Sequence, residues 1–275
     1  MPQKPSLTLT TLNCARLLQP RTRDYLQSLG IAEELPDVLC LQDFPFRDLP
    51  LIIDKLPHIA VAPMTDHLID NKRAAVGIVL ASRHFMTDIV HRTIWGDGVF
   101  KEIKGVVDNH RSPNTAETDL LIDTTEDRVA ICATVIKDGE KFEIATTHGY
   151  WVRGGVVTDR QRRCAHSLTD FLIVEAYRRN GLVLAGDMNF GRGGEIYKMF
   201  IDKEFHDCVP PEIDNTLDPE HPATRKGIKV VTDYIMIREG YGGDFVSYDV
   251  NQVSEVRLHS GVSDHCALSA VITKE

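Results

Sequence analysis

The residues with the clearest chemical potential lie between positions 182 and 190. Four apolar residues there end at a glycine, and Asp187 and Asn189 follow two positions apart. Residues i and i+2 of an extended chain point to the same side, so a carboxylate and an amide would lie together where a strand opens into a loop. This pair suits a site for a hard metal ion and a phosphate. An Asx turn that closes a strand explains Gly-Asp-x-Asn equally well when the motif is taken alone.

Other polar side chains occupy similar places, at or just beyond the ends of apolar strands. The full set is Asn13, Asp43, His148, Asp187, Asn189, Asp264 and His265, with Asp233 inside a further predicted strand. Each residue alone is most often a cap or a turn residue, but turn chemistry should populate both ends of a sheet equally. The set as a whole therefore favours a functional site over turn chemistry.

The beginning of the chain predicts a βαβ unit that positions the first two of these residues. Residues 7–12 alternate as a strand, residues 21–35 have helical periodicity, and residues 38–41 form a short buried strand. The inner face of the helix would consist of Tyr25, Leu26, Leu29 and Ile31. Since consecutive strands of such a unit run parallel, Asn13 and Asp43 would both stand at carboxyl ends of neighbouring strands.

The rest of the chain mixes strands and helices without an internal repeat or a linker. We predict strands at 59–62, 74–82, 128–136, 141–147, 182–185, 229–237, 249–258 and 266–273, and helices at 48–56, 159–177 and 195–201. The helix 159–177 would turn inward Leu168, Phe171, Leu172 and Val174. Asp138-Gly139 predicts a type I′ hairpin, and residues 87–127 are the least regular part. A single domain spanning residues 1–275 follows.

The composition is that of a globular protein with an acidic balance. Of the 275 residues, 43% are hydrophobic and 26% are charged, which is enough for a sizeable core. The net charge of −9 argues against non-specific attraction to duplex DNA. The six cysteines form no CxxC pair, so we expect reduced and mostly buried thiols. No signal peptide and no apolar run of about 18 residues is present, which predicts a cytoplasmic protein without a membrane span.

The order of the motifs resembles that of the endonuclease/exonuclease/phosphatase superfamily, the DNase-I-like metal-dependent phosphoesterases. The matching pieces are Leu12-Asn13, residues 37–43, Gly77 to Ser82, Thr147-His148, Arg160-Gln161, Gly186-Asp187-Met188-Asn189, Asp233-Tyr234-Ile235 and Ser263-Asp264-His265. They extend from near residue 7 to residue 273, so the resemblance covers essentially the whole chain. It implies an α/β fold, a four-layer α/β/β/α sandwich of two packed mixed sheets with the site at one edge.

The resemblance also implies a role for each residue of the set in phosphodiester hydrolysis. His265 would be the general base or contact the scissile phosphate, with Asp233 orienting its ring. Asp187 would position the attacking water or protonate the leaving group, and His148 would donate to a phosphate oxygen. The metal site would comprise Asn13, Asp43 and Asp264, where oxygen ligands favour Mg²⁺ or Mn²⁺ over zinc. Asn13 and Asn189 would donate amide hydrogens to the phosphate or support the metal ligands.

Position 43 departs from the family pattern, which usually has Glu where this chain has Asp43. The shorter side chain reaches less far toward a metal, so metal choice and affinity are open. A non-catalytic relative that binds a phosphorylated partner is therefore the alternative to a hydrolase. A zinc hydrolase is disfavoured because the 11 histidines show no HxH or HExxH spacing.

Several further residues could belong to the same site. Glu126 or Asp127 could pair with His148, although a loop carboxylate is the simpler interpretation. Candidates for substrate binding are Tyr150, Trp151, Arg153 and Arg160, and Arg162 and Arg163 could complete a local groove for an anion. We expect a monomer that acts on a phosphate ester, with nucleic acid among the candidates. The acidic balance argues against a processive duplex nuclease.

Overall fold

A computed structural model describes residues 4–17, 19–69, 72–102, 126–240 and 251–274. The strands are β1 (Ser6–Asn13), β2 (Val38–Pro45), β3 (His58–Ile69), β4 (Lys72–Ser82), β5 (Phe85–Trp95), β6 (Arg128–Lys137), β7 (Glu140–His148), β8 (Gly181–Asp187), β9 (Phe205–Asp207), β10 (Asp233–Glu239), β11 (Asn251–His259) and β12 (Ala267–Lys274). The α-helices are α1 (Pro20–Ser28), α2 (Asp159–Arg179), α3 (Glu195–Asp202) and α4 (Pro222–Arg225), and 3-10 turns lie at Ala15–Leu17, Phe46–Leu51 and Arg153–Gly155. Most of the irregular region 87–127 lies outside the described residues.

The strands form two mixed sheets of six strands each. The first has the order β11-β12-β1-β2-β4-β3, and the second has the order β5-β6-β7-β8-β10-β9. Each sheet contains one parallel pair, β1 with β2 and β7 with β8, while its other neighbours are antiparallel. Strand β1 continues through α1 into β2, as the βαβ prediction required. The expected sandwich of two packed mixed sheets is confirmed.

The two-residue alternation of the strands explains how the layers pack. In β6, Val129 and Ile131 belong to the buried cluster between the sheets, whereas Ala130 and Cys132 belong to the cluster that contains α2. Successive strand residues point to opposite faces, so one strand supplies both interfaces. Burial of each large aliphatic side chain contributes roughly 1.5–3 kcal/mol. These layers hold the strand ends, and therefore the polar residues, in fixed positions.

The hairpin predicted at Asp138-Gly139 is confirmed. Lys137 pairs with Glu140, which leaves a two-residue loop. Asp138 has φ 53° and Gly139 has φ 86°, and a type I′ turn needs positive φ at both positions. The register that carries His148 to the end of β7 is set by this turn.

Two predicted helices differ from the structure. Helix α1 ends at Ser28 rather than near residue 35, because Gly30 takes a left-handed conformation with φ 78° and its backbone N–H donates to Glu33 O. Ile31, predicted to face inward, is 84% exposed. Residues 48–56 form no α-helix; the 3-10 turn Phe46–Leu51 contains Pro50, which lacks the N–H that a helix interior needs. On α2, Val174 is exposed rather than inward.

The strand predicted at 229–237 begins later, at Asp233. Asp233 is therefore the first residue of β10 and not an interior residue. Since β10 runs antiparallel to β8, its first residue lies opposite Asp187, the last residue of β8. This correction moves Asp233 to the same sheet edge as the rest of the polar set.

Two further properties concern the chain as a whole. All six cysteines are free thiols, and all but Cys208 are buried, as expected for reduced thiols. Within the described residues, no helix combines the length and the apolar character needed to cross a membrane.

Candidate active site

The polar residues gather at one edge of the sandwich, where strands of both sheets end. Asn13 ends β1, and His148 and Asp187 end the neighbouring parallel strands β7 and β8. Asp264 and His265 come directly before β12, which runs antiparallel to β1 and therefore starts where β1 ends. The expected shared edge follows from these strand directions.

Asp187 is the centre of this group and is almost completely buried. Asn13 Nδ2 donates to Asp187 Oδ2 at 2.8 Å, and the backbone N–H of Asn189 donates to Oδ1 at 2.9 Å. His148 Nε2 and His265 Nε2 lie 3.5 Å and 3.9 Å from Oδ2. Burial raises the pKa of Asp187, but the charge of His265 and the contacts of His148 and Asn13 outweigh it and lower the pKa. Asp187 is therefore an ionised hydrogen-bond acceptor.

Asp233 contacts His265 on the ring nitrogen that faces away from Asp187. His265 Nδ1 lies 2.9 Å from Asp233 Oδ2, which also accepts the hydroxyl hydrogens of Thr216 at 2.7 Å and Thr232 at 3.1 Å. Burial lowers the pKa of His265, but the carboxylates of Asp233 and Asp187 raise it well above its ordinary value of 6.5. The imidazolium form is therefore favoured, with Nε2–H on the side of Asp187.

The two asparagines support the backbone and Asp187 rather than standing free. Asn13 Oδ1 accepts from Ala15 N at 2.9 Å while its Nδ2 donates to Asp187. Asn189 has a left-handed φ of 54°, and its Nδ2 donates to Gly149 O at 3.0 Å. A side chain at Gly149 would collide with Met188 O, since a Cβ there would lie 2.1 Å from it. The oxygen that Asn13 would offer to a metal already has a donor.

Asp43 and Asp264 are the carboxylates that the resemblance assigns to a metal. Asp43 lies in a register shift of β2 with a left-handed φ of 53°, and Asp264 Oδ1 accepts from Ser263 Oγ at 3.1 Å. Both line the same cleft, and their oxygen donors fit Mg²⁺ or Mn²⁺, which often use only one or two protein carboxylates. Arg16 Nε lies 3.3 Å from Asp43 Oδ2, as an ion pair rather than an aligned hydrogen bond. Arg16 thus competes with a cation for this carboxylate.

A second group of potential ligands lies deeper. Within the described residues, Asp187, Asp233 and His265 place one ligand atom each within 4.8 Å of one another. A metal in this group would have to break the hydrogen bond between His265 Nδ1 and Asp233 Oδ2. We therefore regard it as a hydrogen-bonded cluster.

His148 has an arginine as its partner, which the sequence did not reveal. Arg128 Nη1 lies 3.2 Å from His148 Nδ1, and Arg128 Nη2 donates to Glu126 Oε2 at 2.9 Å. Glu126 also contacts His67 Nε2 at 3.2 Å and Arg16 Nη2 at 3.4 Å. Burial raises the pKa of Glu126, but these contacts lower it. The carboxylate expected to pair with His148 therefore acts through Arg128.

These residues share one cleft with a volume of about 690 Å³. All of the predicted polar set except Asp233 line it, and Asp233 lies behind His265. Apolar side chains, including Trp151, Phe190 and Leu217, line the remainder together with the newly found Arg16 and Arg128. The cleft is thus polar where the strand ends meet and apolar along other walls.

The predicted substrate-binding residues lie mostly elsewhere. Tyr150 packs against Trp95 with ring centroids 5.2 Å apart, and it is not among the cleft residues. Arg160 is exposed on α2 outside the cleft lining, and the side chain of Arg153 lies outside the described part. Arg162 forms ion pairs with Asp159 and Glu195, and the Arg163 guanidinium lies 5.6 Å from the Trp95 ring centre. None of the arginines at 160, 162 and 163 lines the cleft.

Arg16, Arg128 and Thr216 were missed for a common reason. Thr216 belongs to the loop after β9 and reaches the site through a bridge between Leu217 and His265. Arg16 belongs to a turn with positive φ at three successive residues. Their roles depend on contacts between distant segments, and no local motif carries that information. Of the three, only Arg128 lies at a strand end, and that position could have indicated that it belongs to the site.

The fold is shared with known structures, although the sequence alone finds no relative. Comparison with protein-family models and with curated proteins gives no match. Among solved structures, the human Nocturnin catalytic domain with a bound sulfate anion aligns with TM-score 0.66 and 17% identity over 98% of this chain and 94% of that chain. An endonuclease/exonuclease/phosphatase from Beutenbergia cavernae aligns with TM-score 0.63 and 16% identity, over 99% and 72% of the two chains.

A third similar structure is an endonuclease/exonuclease/phosphatase from Bacteroides vulgatus, with TM-score 0.63 and 14% identity over 99% of this chain and 100% of that chain. The chain therefore has the DNase-I-like α/β sandwich fold. The resemblance stated on the motifs is confirmed at the level of the fold.

Proposed function

We propose that the protein hydrolyses phosphate esters with the assistance of Mg²⁺ or Mn²⁺. The observation that carries this proposal is the buried cluster around Asp187, where Asn13, His148 and His265 converge on one carboxylate at the wall of a cleft. The fold that it shares with phosphoesterase structures supports the same reaction class. Phosphodiesterase, nuclease and phosphatase activities all fall within it.

Asp187 is the acceptor for the attacking water in this proposal. Its carboxylate is ionised, and Asn13 and the Asn189 backbone fix its orientation. A water held by Asp187 is aligned toward a phosphorus atom in the cleft. As its oxygen bonds to phosphorus, the P–O bond to the leaving group breaks, and the net proton transfer is from the water to the leaving oxygen. Fixed alignment of the nucleophile removes much of the entropic cost of the step.

His265 and His148 stabilise the charge of the phosphoryl group. His265 donates from Nε2 as an imidazolium that Asp233 orients, which favours the phosphate-contact role over that of a general base. His148 donates from its own Nε2 on the other side of Asp187. Donors that are already oriented stabilise the developing charge without reorganisation.

The cation site comprises Asp43 and Asp264. A bound Mg²⁺ or Mn²⁺ supplies charge neutralisation at a phosphoryl oxygen. The two carboxylates would hold this cation and limit its position, and Asn13 would support the site through Asp187. Arg16 remains beside Asp43 as a second positive charge.

The proposed substrate is a phosphate ester small enough for a cleft of about 690 Å³ or a segment of nucleic acid that enters it. The apolar walls around Trp151 suit the leaving group or a base. The net charge of −9 does not favour long duplexes. The six free thiols support a reducing compartment, the cytoplasm, and a monomer is the proposed state.

Hydrolysis of an aryl phosphodiester with Mn²⁺ tests the proposal. Wild-type protein should hydrolyse it, a chelator should suppress the activity, and His265→Ala should lower kcat by about a hundredfold or more. His206→Ala, an exposed histidine on β9, is the control and should retain full activity.

The same assay should be repeated with single-stranded DNA, RNA, abasic duplex, inositol phosphates and sphingomyelin, with Mg²⁺ and with Mn²⁺. If wild type and His265→Ala are equally inert on every substrate, the hydrolase proposal is wrong. The second candidate, a non-catalytic phosphate-binding protein, would then be favoured by the ion pair of Arg16 with Asp43, which occupies a carboxylate needed for the cation.

A further inference from the structure

The environment of His148 differs from that of His265 on the nitrogen that faces away from Asp187. His265 Nδ1 meets a carboxylate, Asp233, at 2.9 Å. His148 Nδ1 meets a guanidinium, with Arg128 Nη1 at 3.2 Å. Both His148 and Arg128 are buried, with 6% and 4% exposure, so water does not mediate this contact.

The chemistry of arginine fixes the direction of this hydrogen bond. A guanidinium has five N–H donors, no acceptor, and stays protonated in proteins. Arg128 must therefore donate, and His148 Nδ1 must accept with its lone pair. A hydrogen on Nδ1 would point at an N–H donor and at a positive charge. Since a neutral imidazole carries one ring hydrogen, that hydrogen lies on Nε2, the nitrogen 3.5 Å from Asp187 Oδ2.

Arg128 is itself held in place by a second layer of charged groups. Its Nη2 donates to Glu126 Oε2 at 2.9 Å, and Glu126 is held by His67 and Arg16. The Glu126 carboxylate is ionised because the hydrogen bond with His67 and the charges of Arg128 and Arg16 lower its pKa. Glu126 offsets the charge of Arg128 in the interior and turns the guanidinium edge toward His148.

We propose that Arg128, held by Glu126, is a positioning residue that keeps the ring hydrogen of His148 on Nε2 and leaves Nδ1 as the acceptor. This proposal deepens the proposed function, on which the catalytic value of that hydrogen rests. The site then contains two histidines of different kinds. His265 is oriented by an anion and His148 by a cation, and both direct an N–H to the position of the phosphoryl group beside Asp187.

Nitrogen NMR of protein labelled in its histidine rings tests the hydrogen position directly. The ring signals of His148 are assigned by their loss in His148→Gln. In the wild type we expect an unprotonated Nδ1 and a protonated Nε2 at neutral pH. A wild-type spectrum with Nδ1 protonated, as the other tautomer or as imidazolium, at neutral pH overturns the proposal.

The variant Arg128→Gln provides a second test of the proposal. Loss of the guanidinium should release the constraint, so that His148 shows both tautomers. If phosphoester hydrolysis is found, kcat should fall roughly ten- to hundredfold with little change in KM, as for other groups that orient a catalytic imidazole. An unchanged His148 spectrum in folded Arg128→Gln would show that Arg128 does not set the tautomer.

Arg179→Gln is the matched control. Arg179 is also buried, at 9% exposure, and pairs with Glu175 and Glu143 away from the cleft. The Arg179→Gln change removes a buried ion pair comparable to that of Arg128, and it should leave the His148 spectrum unchanged. If Arg128→Gln fails to fold, the wild-type spectrum still decides. The spectrum needs no turnover, so an inert protein with the expected tautomer would contradict the proposed function and leave this inference standing.

Discussion

At the scale of single residues, Arg16 has the most direct bearing on the metal. It is buried, and its guanidinium lies between Asp43 and Glu126. The resemblance assigns a metal ligand to position 43, so this chain places a permanent positive charge where a divalent cation would bind. In the proposed cation site, the ion pair between Arg16 and Asp43 would oppose the binding of a cation.

Arg16→Met should therefore strengthen Mn²⁺ binding. The change frees Asp43 Oδ2 and leaves its negative charge unbalanced. The midpoint of a Mn²⁺ titration should therefore fall about tenfold, which corresponds to roughly 1.4 kcal/mol of binding free energy. Without metal the variant should be less stable, because removal of one partner leaves buried charge unpaired. Mn²⁺ binding is measured by calorimetry and by the rise in Tm, without substrate.

The matched control is Arg21→Met. Arg21 pairs with the buried carboxylate of Asp218 at 3.0 Å and also donates to Ser263 O, but it is not among the cleft-lining residues. Its loss should leave the Mn²⁺ midpoint unchanged. Equal or weaker Mn²⁺ binding in Arg16→Met would mean that Arg16 supports the cation site instead of competing with it.

Site residues that lie at the ends of strands could be predicted from the sequence. Site residues that come from irregular segments and depend on tertiary contacts could not. Asp187 and His148 end strands whose apolar pattern is evident in the sequence, so their placement followed from strand direction. Arg128 also stands at a strand end, but its contact with His148 is made across the β6–β7 pair, and Glu126 holds its guanidinium there. Thr216 comes from an irregular loop, for which periodicity gives no information.

At the scale of elements, Asp37 ties both sheets together at the edge opposite the cleft. Its carboxylate accepts from Thr8 N of β1 at 2.9 Å and from Lys137 Nζ of β6 at 2.7 Å, and it lies 2.8 Å from His84 Nε2. Burial raises its pKa, but the hydrogen bonds from Lys137, Thr8 and His84 outweigh this and lower the pKa from 3.8 to about 2.

Asp37→Asn should lower the free energy of unfolding by about 2 kcal/mol at pH 7. The folded-state pKa lies below the unfolded one, so the contribution is present above about pH 4 and is lost as the pH falls toward 2. Wild type and variant should therefore differ most near neutrality and converge in acid. Urea unfolding across this pH range measures the difference.

Asp214→Asn serves as the control, since Asp214 forms an exposed pair with Lys229. Such pairs contribute about 0–1 kcal/mol, so the change should be small at every pH. A loss in Asp37→Asn that does not depend on pH would show that packing, and not the charge, is responsible.

The β6–β7 hairpin was predictable, whereas β5, β9, the start of β10 and the helix ends were not. Alternation over β6 and β7 and the Asp138-Gly139 turn are local signals, and they gave the hairpin closely. The helix after β1 ended early because Gly30 adopted a left-handed conformation, although apolar residues continued the helical spacing beyond it. Apolar periodicity reports which face is buried, but not where the backbone leaves the helix.

At the scale of the whole molecule, the site depends on the alignment of the two sheets. Asn13 comes from the first sheet and Asp187 from the second, and their hydrogen bond crosses the interface between them. The buried cluster between the sheets fixes that alignment. Weak packing in this cluster would separate groups that must lie within 4 Å of Asp187.

Phe142→Ala should destabilise the protein by roughly 3–5 kcal/mol, because Phe142 is completely buried between the sheets. Phe85→Ala, at a residue that is 59% exposed, should cost little. Urea unfolding followed by fluorescence measures both. Similar losses in the two variants would contradict the assignment of the main core to the interface between the sheets.

The strand orders of the two sheets contain a correspondence that bears on the origin of the site. Each sheet consists of an outer antiparallel pair, a parallel β-helix-β unit and a further antiparallel pair, so that β11-β12-β1-β2-β4-β3 matches β5-β6-β7-β8-β10-β9 position by position. The two sheets are thus two topological copies of one unit. In the first sheet, the outer antiparallel pair consists of the last two strands of the chain, β11 and β12.

In this correspondence Asn13 at the end of β1 matches His148 at the end of β7, and the segment before β12 matches the segment before β6. When the strand registers are extended to Asn13 and His148, Arg128 at the start of β6 matches His265, which lies two residues before β12. The arginine proposed to orient His148 therefore occupies, in its own half, the position that the second histidine occupies in the other half. The pseudo-symmetric unit thus supplies one position twice, once for the histidine proposed to contact the substrate and once for the arginine proposed to orient the other histidine.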